Sequence, residues 1–368
     1  MEENSKNFLS KIKSSYILRK ILSNIDEYKL LQIIRINKDI LTKLNKDIND
    51  FKKLSYIKLE IIPAKGKYNK FINFDDKNKS HYHIYFNNDK NEEISSTYIK
   101  PENKVEKIRI QIDHEITSLK ELFKDCKCIE KVNFIIFNKT YIEDMSHLFD
   151  GCISLNEINF SKFKTNNATD MSYMFNNCCS LKDIDISYFN TPNLSNMMCM
   201  FSGCTSLEKI DLSKLITNNV KNMSGMFDNC SSLKELDLSL FNTMNVTNMG
   251  AMFYGCRALI KLNISSFNTF NVTNMSNMFA GCSALKELEL SNFNTDNVTN
   301  MRFMFEGCCS LDKLNLDNFI TNKATSMSYM FNGCSNLKEL KISKDNFKMS
   351  QAYNAKAIFV GCDSLNII

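Results

Sequence analysis

The sequence predicts an α+β solenoid of about ten rungs, each a short strand, a polar turn and a short helix, behind a small, mainly helical N-terminal module. Three observations carry that expectation. Nine cysteines recur every 26 residues, at Cys126, Cys152, Cys178, Cys204, Cys230, Cys256, Cys282, Cys308 and Cys334, and Cys362 follows after 28. Within one period the apolar pattern changes from alternation to an i, i+3, i+4 spacing. The first 55 residues lack the repeat and space leucine and isoleucine as helices do. One repeat of roughly 20–50 residues cannot bury its own apolar face, so such repeats stack.

The copy starting at Cys230, CSSLKELDLSLFNTMNVTNMGAMFYG, justifies each element in turn. Leu233, Leu236 and Leu238 end in an alternation that reads as a short strand with one buried face. Phe241 to Asn248 is a polar turn. Met249, Met252 and Phe253 share one face of about two helical turns. Gly255 stands where such a helix would end on a left-handed residue. Threonine recurs at Thr165, Thr191, Thr217, Thr243, Thr269, Thr295 and Thr321, with Asn167, Asn193, Asn219, Asn245, Asn271 and Asn297 beside it. Stacked one rung apart, these short polar side chains satisfy turn backbone groups, a structural role.

Three segments are expected. Residues 1–55 form a helical module, with Tyr16, Ile17, Leu18, Ile21, Leu22 and Ile25 on one apolar face. Residues 56–104 hold short strands, at Tyr56–Ile61 and His81–Phe86, in polar loops. Residues 105–368 are the array, with Val105, Ile108 and Ile110 supplying the first rung's strand. At the other end Leu365 and Ile368 match the first two strand leucines, after a terminal helix from about Ala355 to Phe359. That open edge would favour weak self-association.

The pattern N-M-S-x-M-F-x-G-C-S-x-L-x-x-L-x-L-S-x-F-N-T-x-N-V-T resembles the BspA-like leucine-rich repeats over about 105–368. The resemblance implies a leucine-rich-repeat solenoid whose strands line a concave sheet, with function in the variable residues. It implies adhesion or protein binding, not a defined reaction. Tyr16 to Asp50, with YILRKILSNI, the acidic Asp26-Glu27 turn and KLLQIIRINKDILTKL, resembles an F-box. It departs from that pattern in having Ser where a proline usually opens the helix, and no Trp. The F-box resemblance implies a substrate adaptor docking a ubiquitin-ligase scaffold through residues 16–50. The other reading of this segment is a cap over the first rung.

The net charge of +5 is uneven. Residues 1–104 hold 21 basic and 14 acidic residues, the remainder 25 and 27. A solvated, lysine-rich N-terminal surface follows, and no arginine-rich run with interleaved aromatics points to nucleic acid. No apolar run has the length of a signal peptide or a membrane span, so the expected location is the cytoplasm, with a cell-surface adhesin as the alternative. Ten of the 14 cysteines share one repeat position and read as buried, reduced core thiols. N-x-[ST] triplets such as Asn245 and Asn271 lie in stacked turns, where a glycan would crowd the next rung.

No metal, cofactor or catalytic residue is expected. His81, His83, His114 and His147 do not follow the repeat, and no phosphate loop or nucleophile elbow is present. The expected function is non-enzymatic recognition of a protein partner. Candidate contacts on the strand face are Asp185, Asp211, Asp237 and Glu289 in one column, and Lys209, Glu235, Lys261 and Glu287 in the next. Elsewhere Tyr173, Tyr254, Arg257, Phe270, Phe303 and Tyr329 supply the aromatic and arginine side chains that usually anchor interfaces.

Overall fold

The computed structural model describes residues 56–87, 92–113, 116–139, 141–348 and 357–367, with Ile12, Ser14, Tyr16, Ile17 and Lys20. The helical module expected over 1–55 is not seen in it. Apart from those five, its residues lie outside the described ones, as do Ala355 and Ile368.

The array begins on a five-stranded sheet in the order β2-β3-β1-β4-β5. Strands β1 (Ile57–Pro63), β2 (Tyr82–Phe86) and β3 (Ile108–Ile112) are antiparallel, and β1 pairs antiparallel with β4 (Ile129–Phe137). From β4 onward pairing is parallel, starting with β5 (Glu157–Asn159). The expected alternation at Tyr56–Ile61 and His81–Phe86 thus appears as β1 and β2. The Ile108–Ile110 segment does not serve as a rung. It is the middle strand between β1 and β2, burying Ile108, Ile110 and Ile112 against Ile57, Leu59 and Ile61. Buried Lys139 ties this cap to the first rung by donating to the carbonyls of Asp113 and Ile116, the latter at 2.7 Å.

Each later rung turns almost continuously. In the rung from Cys230, the inward residues are Cys230, Leu233, Leu236, Leu238, Phe241, Thr243, Val246, Met249, Met252 and Phe253, none more than 3% exposed. Short parallel strands mark one side: β6 (Glu235–Asp237) with β7 (Lys261–Asn263), and β8 (Lys313–Leu316), β9 (Glu339–Ile342) and β10 (Asn366–Ile367).

The short helix expected in every rung is absent. From residue 56 onward the only helical elements among the described residues are two three-residue 3-10 turns, Lys79–His81 and Pro101–Asn103. The Met/Phe segment is a run of tight turns, with Ala251 at φ 54° and Gly255 at φ 66°. Backbone hydrogen bonding explains why. The N–H groups of Met249, Ala251, Phe253 and Gly255 donate to Asn274, Ser276, Met278 and Ala280 in the next rung, at 3.0, 2.7, 2.9 and 2.7 Å. Those of Met252, Tyr254 and Cys256 bond three residues back within the rung. An α-helix would turn each N–H beyond its first turn back to a carbonyl four residues earlier in the same segment, away from the next rung. The same turns cover 357–361, where a terminal helix was expected, with Ala357 and Gly361 at φ 72° and 73°.

The polar ladders act as expected. Thr243 Oγ1 donates to the Asn268 carbonyl and accepts from the Asn268 N–H, both at 2.8 Å. Asn245 Nδ2 donates to the Asn218 carbonyl one rung earlier at 2.7 Å. The cysteine column is buried from Cys126 to Cys334, and Cys256 Sγ donates to the Phe227 carbonyl at 3.1 Å.

Candidate protein-recognition surface

Two surfaces carry the residues that differ between rungs. On the strand side, every second residue projects outward, and the eight predicted contacts all lie there. The structure places five of them in two depressions. Asp185, Lys209 and Asp211 line one of about 490 Å³ with Asp183, Ile184 and Ile210. Glu287 and Glu289 line a second of about 710 Å³ with Lys286, Leu288 and Lys313. Glu235, Asp237 and Lys261 lie between these, on β6 and β7, where Glu235 and Lys261 are cross-strand neighbours.

The acidic column has a local duty. Asp185, Asp211, Asp237 and Glu289 accept from the backbone N–H two residues on, at 3.0, 2.9, 2.8 and 2.8 Å. These are Asx-type turns that close the strand's end. Hydrogen bonds from Ser187, Ser213, Ser239 and Ser291 hold the four carboxyls below their usual range. The neighbouring charges pair across rungs, as in Lys131–Glu157 at 2.6 Å, Lys313–Glu339 at 2.8 Å and Lys338–Asp312 at 2.9 Å. Lys209 lies 3.9 Å from Asp183. This face largely neutralises itself.

The turn side differs. His147 stacks on Tyr173 at 4.5 Å and bonds Asp150 at 2.8 Å. Phe303 stacks on Tyr329 at 5.2 Å, and the Arg302 guanidinium lies 4.5 Å from the Phe303 ring centre. Tyr254 and Arg257 are exposed on the same half. Sequence reasoning named Phe303 and Tyr329 but missed Arg302. The available signal was that Arg257 and Arg302 are the only arginines after residue 109.

In the N-terminal sheet, His83 bridges Glu93 and Asp113 at 3.0 and 3.1 Å. Burial pulls its pKa down, but the two carboxylates outweigh this and raise it. No cluster of metal-ligating side chains occurs among the described residues.

A family model described as "Mycoplasma protein of unknown function, DUF285" matches residues 117–236, 209–261 and 260–367. The chain belongs to the DUF285 family. The DUF285 match covers the array and stops short of residues 16–50, so it lends nothing to the F-box resemblance. No curated protein matches the chain. Among solved structures, it is similar to the T. pallidum leucine-rich repeat protein TpLRR, with 24% identity and a TM-score of 0.33, over 46% of this chain and 71% of that one. It is also similar to a chain of the TLR13–ssRNA13 complex, with 16% identity and a TM-score of 0.27, over 65% of this chain and 32% of that one.

Proposed function

We propose that this DUF285 chain is a non-enzymatic recognition module that binds a protein partner through the surface of its array. One observation carries the reading. Every inward position repeats with nearly the same residue type from rung to rung, while the outward positions change. A scaffold with a constant core and varied exterior suits binding. Chemistry has little to work with. Burial pushes the Cys199 thiol up, and pushes its neighbour Tyr173 up to about 12. A nucleophilic thiol needs the opposite shift.

The reading extends to a reducing, cytoplasmic setting. From Cys152 to Cys334 each column thiol donates to a carbonyl of the preceding rung, a bond that oxidation to a disulfide would remove. Chemical cross-linking in the native cell, followed by mass spectrometry, tests the function. Reproducible cross-links from array lysines to one protein are expected. Turnover of a small molecule by the purified chain, without any such partner, would replace recognition with catalysis.

A further inference from the structure

The geometry points to the Arg302–Phe303–Tyr329 stack, on the turn side, as the anchor that docks an acidic peptide segment of the partner. The inference rests on the recognition reading above and gives it a face and a chemistry. Four observations converge on it.

Arg257 and Arg302 are exposed, and neither makes an ion pair among the described residues, whereas strand-side Lys131, Lys313 and Lys338 reach carboxylates across the rungs. The array's uncommitted arginine charge is therefore on the turn side. Arg302 lies against the Phe303 ring, and Phe303 lies against Tyr329 one rung on. Stacking fixes the plane of the guanidinium while leaving its N–H edge open to a carboxylate. The backbone is strained at both rings. Phe303 and Tyr329 have φ of 58° and 57°, the left-handed conformation this position takes in every rung, whether it holds His147, Tyr173, Cys199, Gly225, Ala251 or Asn277. Bulky residues rarely adopt this conformation. Tyr329 remains 37% exposed, and Phe303 is half-buried rather than part of the core. A half-buried phenylalanine and an exposed tyrosine beside an unpaired arginine have the composition of an interface anchor.

A phage-displayed library of random peptides, panned on the full chain, tests this. The expected winners carry Asp or Glu beside an apolar residue. Binding of the best winner should fall about tenfold or more in Arg302→Ala, and Arg302→Lys should recover only part of it. Phe303→Gly should weaken binding similarly while the melting temperature holds or rises, because glycine tolerates positive φ. Reversing strand-side charges with Lys209→Glu and Glu235→Lys should leave binding unchanged.

Neutral or basic winners, or no winners, would overturn the proposal. So would binding indifferent to Arg302, or a melting temperature that falls in Phe303→Gly, which would make the ring structural. Tighter, Arg302-dependent binding of single-stranded oligothymidylate would assign the stack to nucleic acid instead. Loss of binding only in the strand-side reversal would move the site to the other face and leave recognition standing. If cross-linking in the cell also finds no partner, the recognition reading itself fails.

Discussion

The turn side and the strand side of the array are built from the same 26-residue period, yet they are held together differently. On the turn side the rungs are joined without a break. Parallel bridges run Ser118–Asp144–Asp170–Asn196–Asn222–Asn248–Asn274–Asn300–Ser326. The phenylalanine rings beneath stack at 5.4 to 6.0 Å throughout. On the strand side the ladder is interrupted at 181–186, 207–212 and 285–290. Between β7 and β8, residues 285–290 form no strand. Phe293 of that rung sits 6.4 Å from Phe267 and 6.5 Å from Phe319.

Two asparagines bridge the rungs at this opening. Asn292 Nδ2 donates to the Phe267 and Ile264 carbonyls at 2.8 and 3.0 Å. Asn318 Nδ2 does the same to Phe293 and Leu290 at 2.7 and 3.0 Å. The equivalent Ser266 is shorter, and there β6 and β7 pair. The comparison shows how solenoid rungs can share one core and still differ locally in how tightly one edge closes.

The largest expected effect tests what joins the two sides. Burial pushes all nine column thiols above their ordinary value, Cys256 and Cys334 up to about 12. A thiol with a raised folded pKa contributes stability that is intact below its unfolded pKa near 9 and lost as pH rises toward 12. Each thiol costs about 1.4 kcal/mol per pH unit over that window, so the array should unfold steeply above about pH 9. Circular dichroism against pH, in reductant, reads this. A chain that stays folded at pH 12 would mean the column is not sealed.

Next in size is core truncation. Phe253 is fully buried between Phe227 and Phe279, at 6.0 and 5.6 Å. Phe253→Ala should cost about 3–5 kcal/mol by chemical denaturation. Leu288→Ala, on the open rung and only half-buried, should cost about 2 kcal/mol or less. Equal losses would erase the distinction between the sides.

Hydrogen exchange sharpens it further. Amides of 286–290 should exchange about tenfold faster than those of 234–238, while Phe279 and Phe305 in the adjoining turns stay protected. Asn292→Ser with Asn318→Ser should slow exchange at 286–290, with a stability change within about 1 kcal/mol. Unchanged exchange would clear the asparagines of any part in the opening. The smallest effect belongs to the strand-side charges. Exchanging the signs of Lys313 and Glu339 should leave the melting temperature unaltered, because both are exposed.

The sequence by itself determined the period, the inward columns and the polar ladders. Which residues meet the core follows from side-chain spacing alone, and Thr243, Asn245 and Cys256 stack because identical residues recur 26 apart. The eight candidate contacts are exposed, but the turn-capping work of Asp185, Asp211, Asp237 and Glu289 was not legible. It depends on where the chain bends after the strand, not on the column's charge. Only the tertiary structure decided the conformation of the Met/Phe segment. Its i, i+3, i+4 spacing suits a helix and a chain of turns equally, because it records where side chains point and not where N–H groups donate. With a neighbouring rung alongside, carbonyls of Asn274, Ser276, Met278 and Ala280 offered those groups partners outside the segment, and the left-handed residues at 251 and 255 let the backbone reach them. The same reason moved Ile108–Ile112 into the cap: a strand's alternation marks its buried face, and its pairing partner is chosen by what packs beside it.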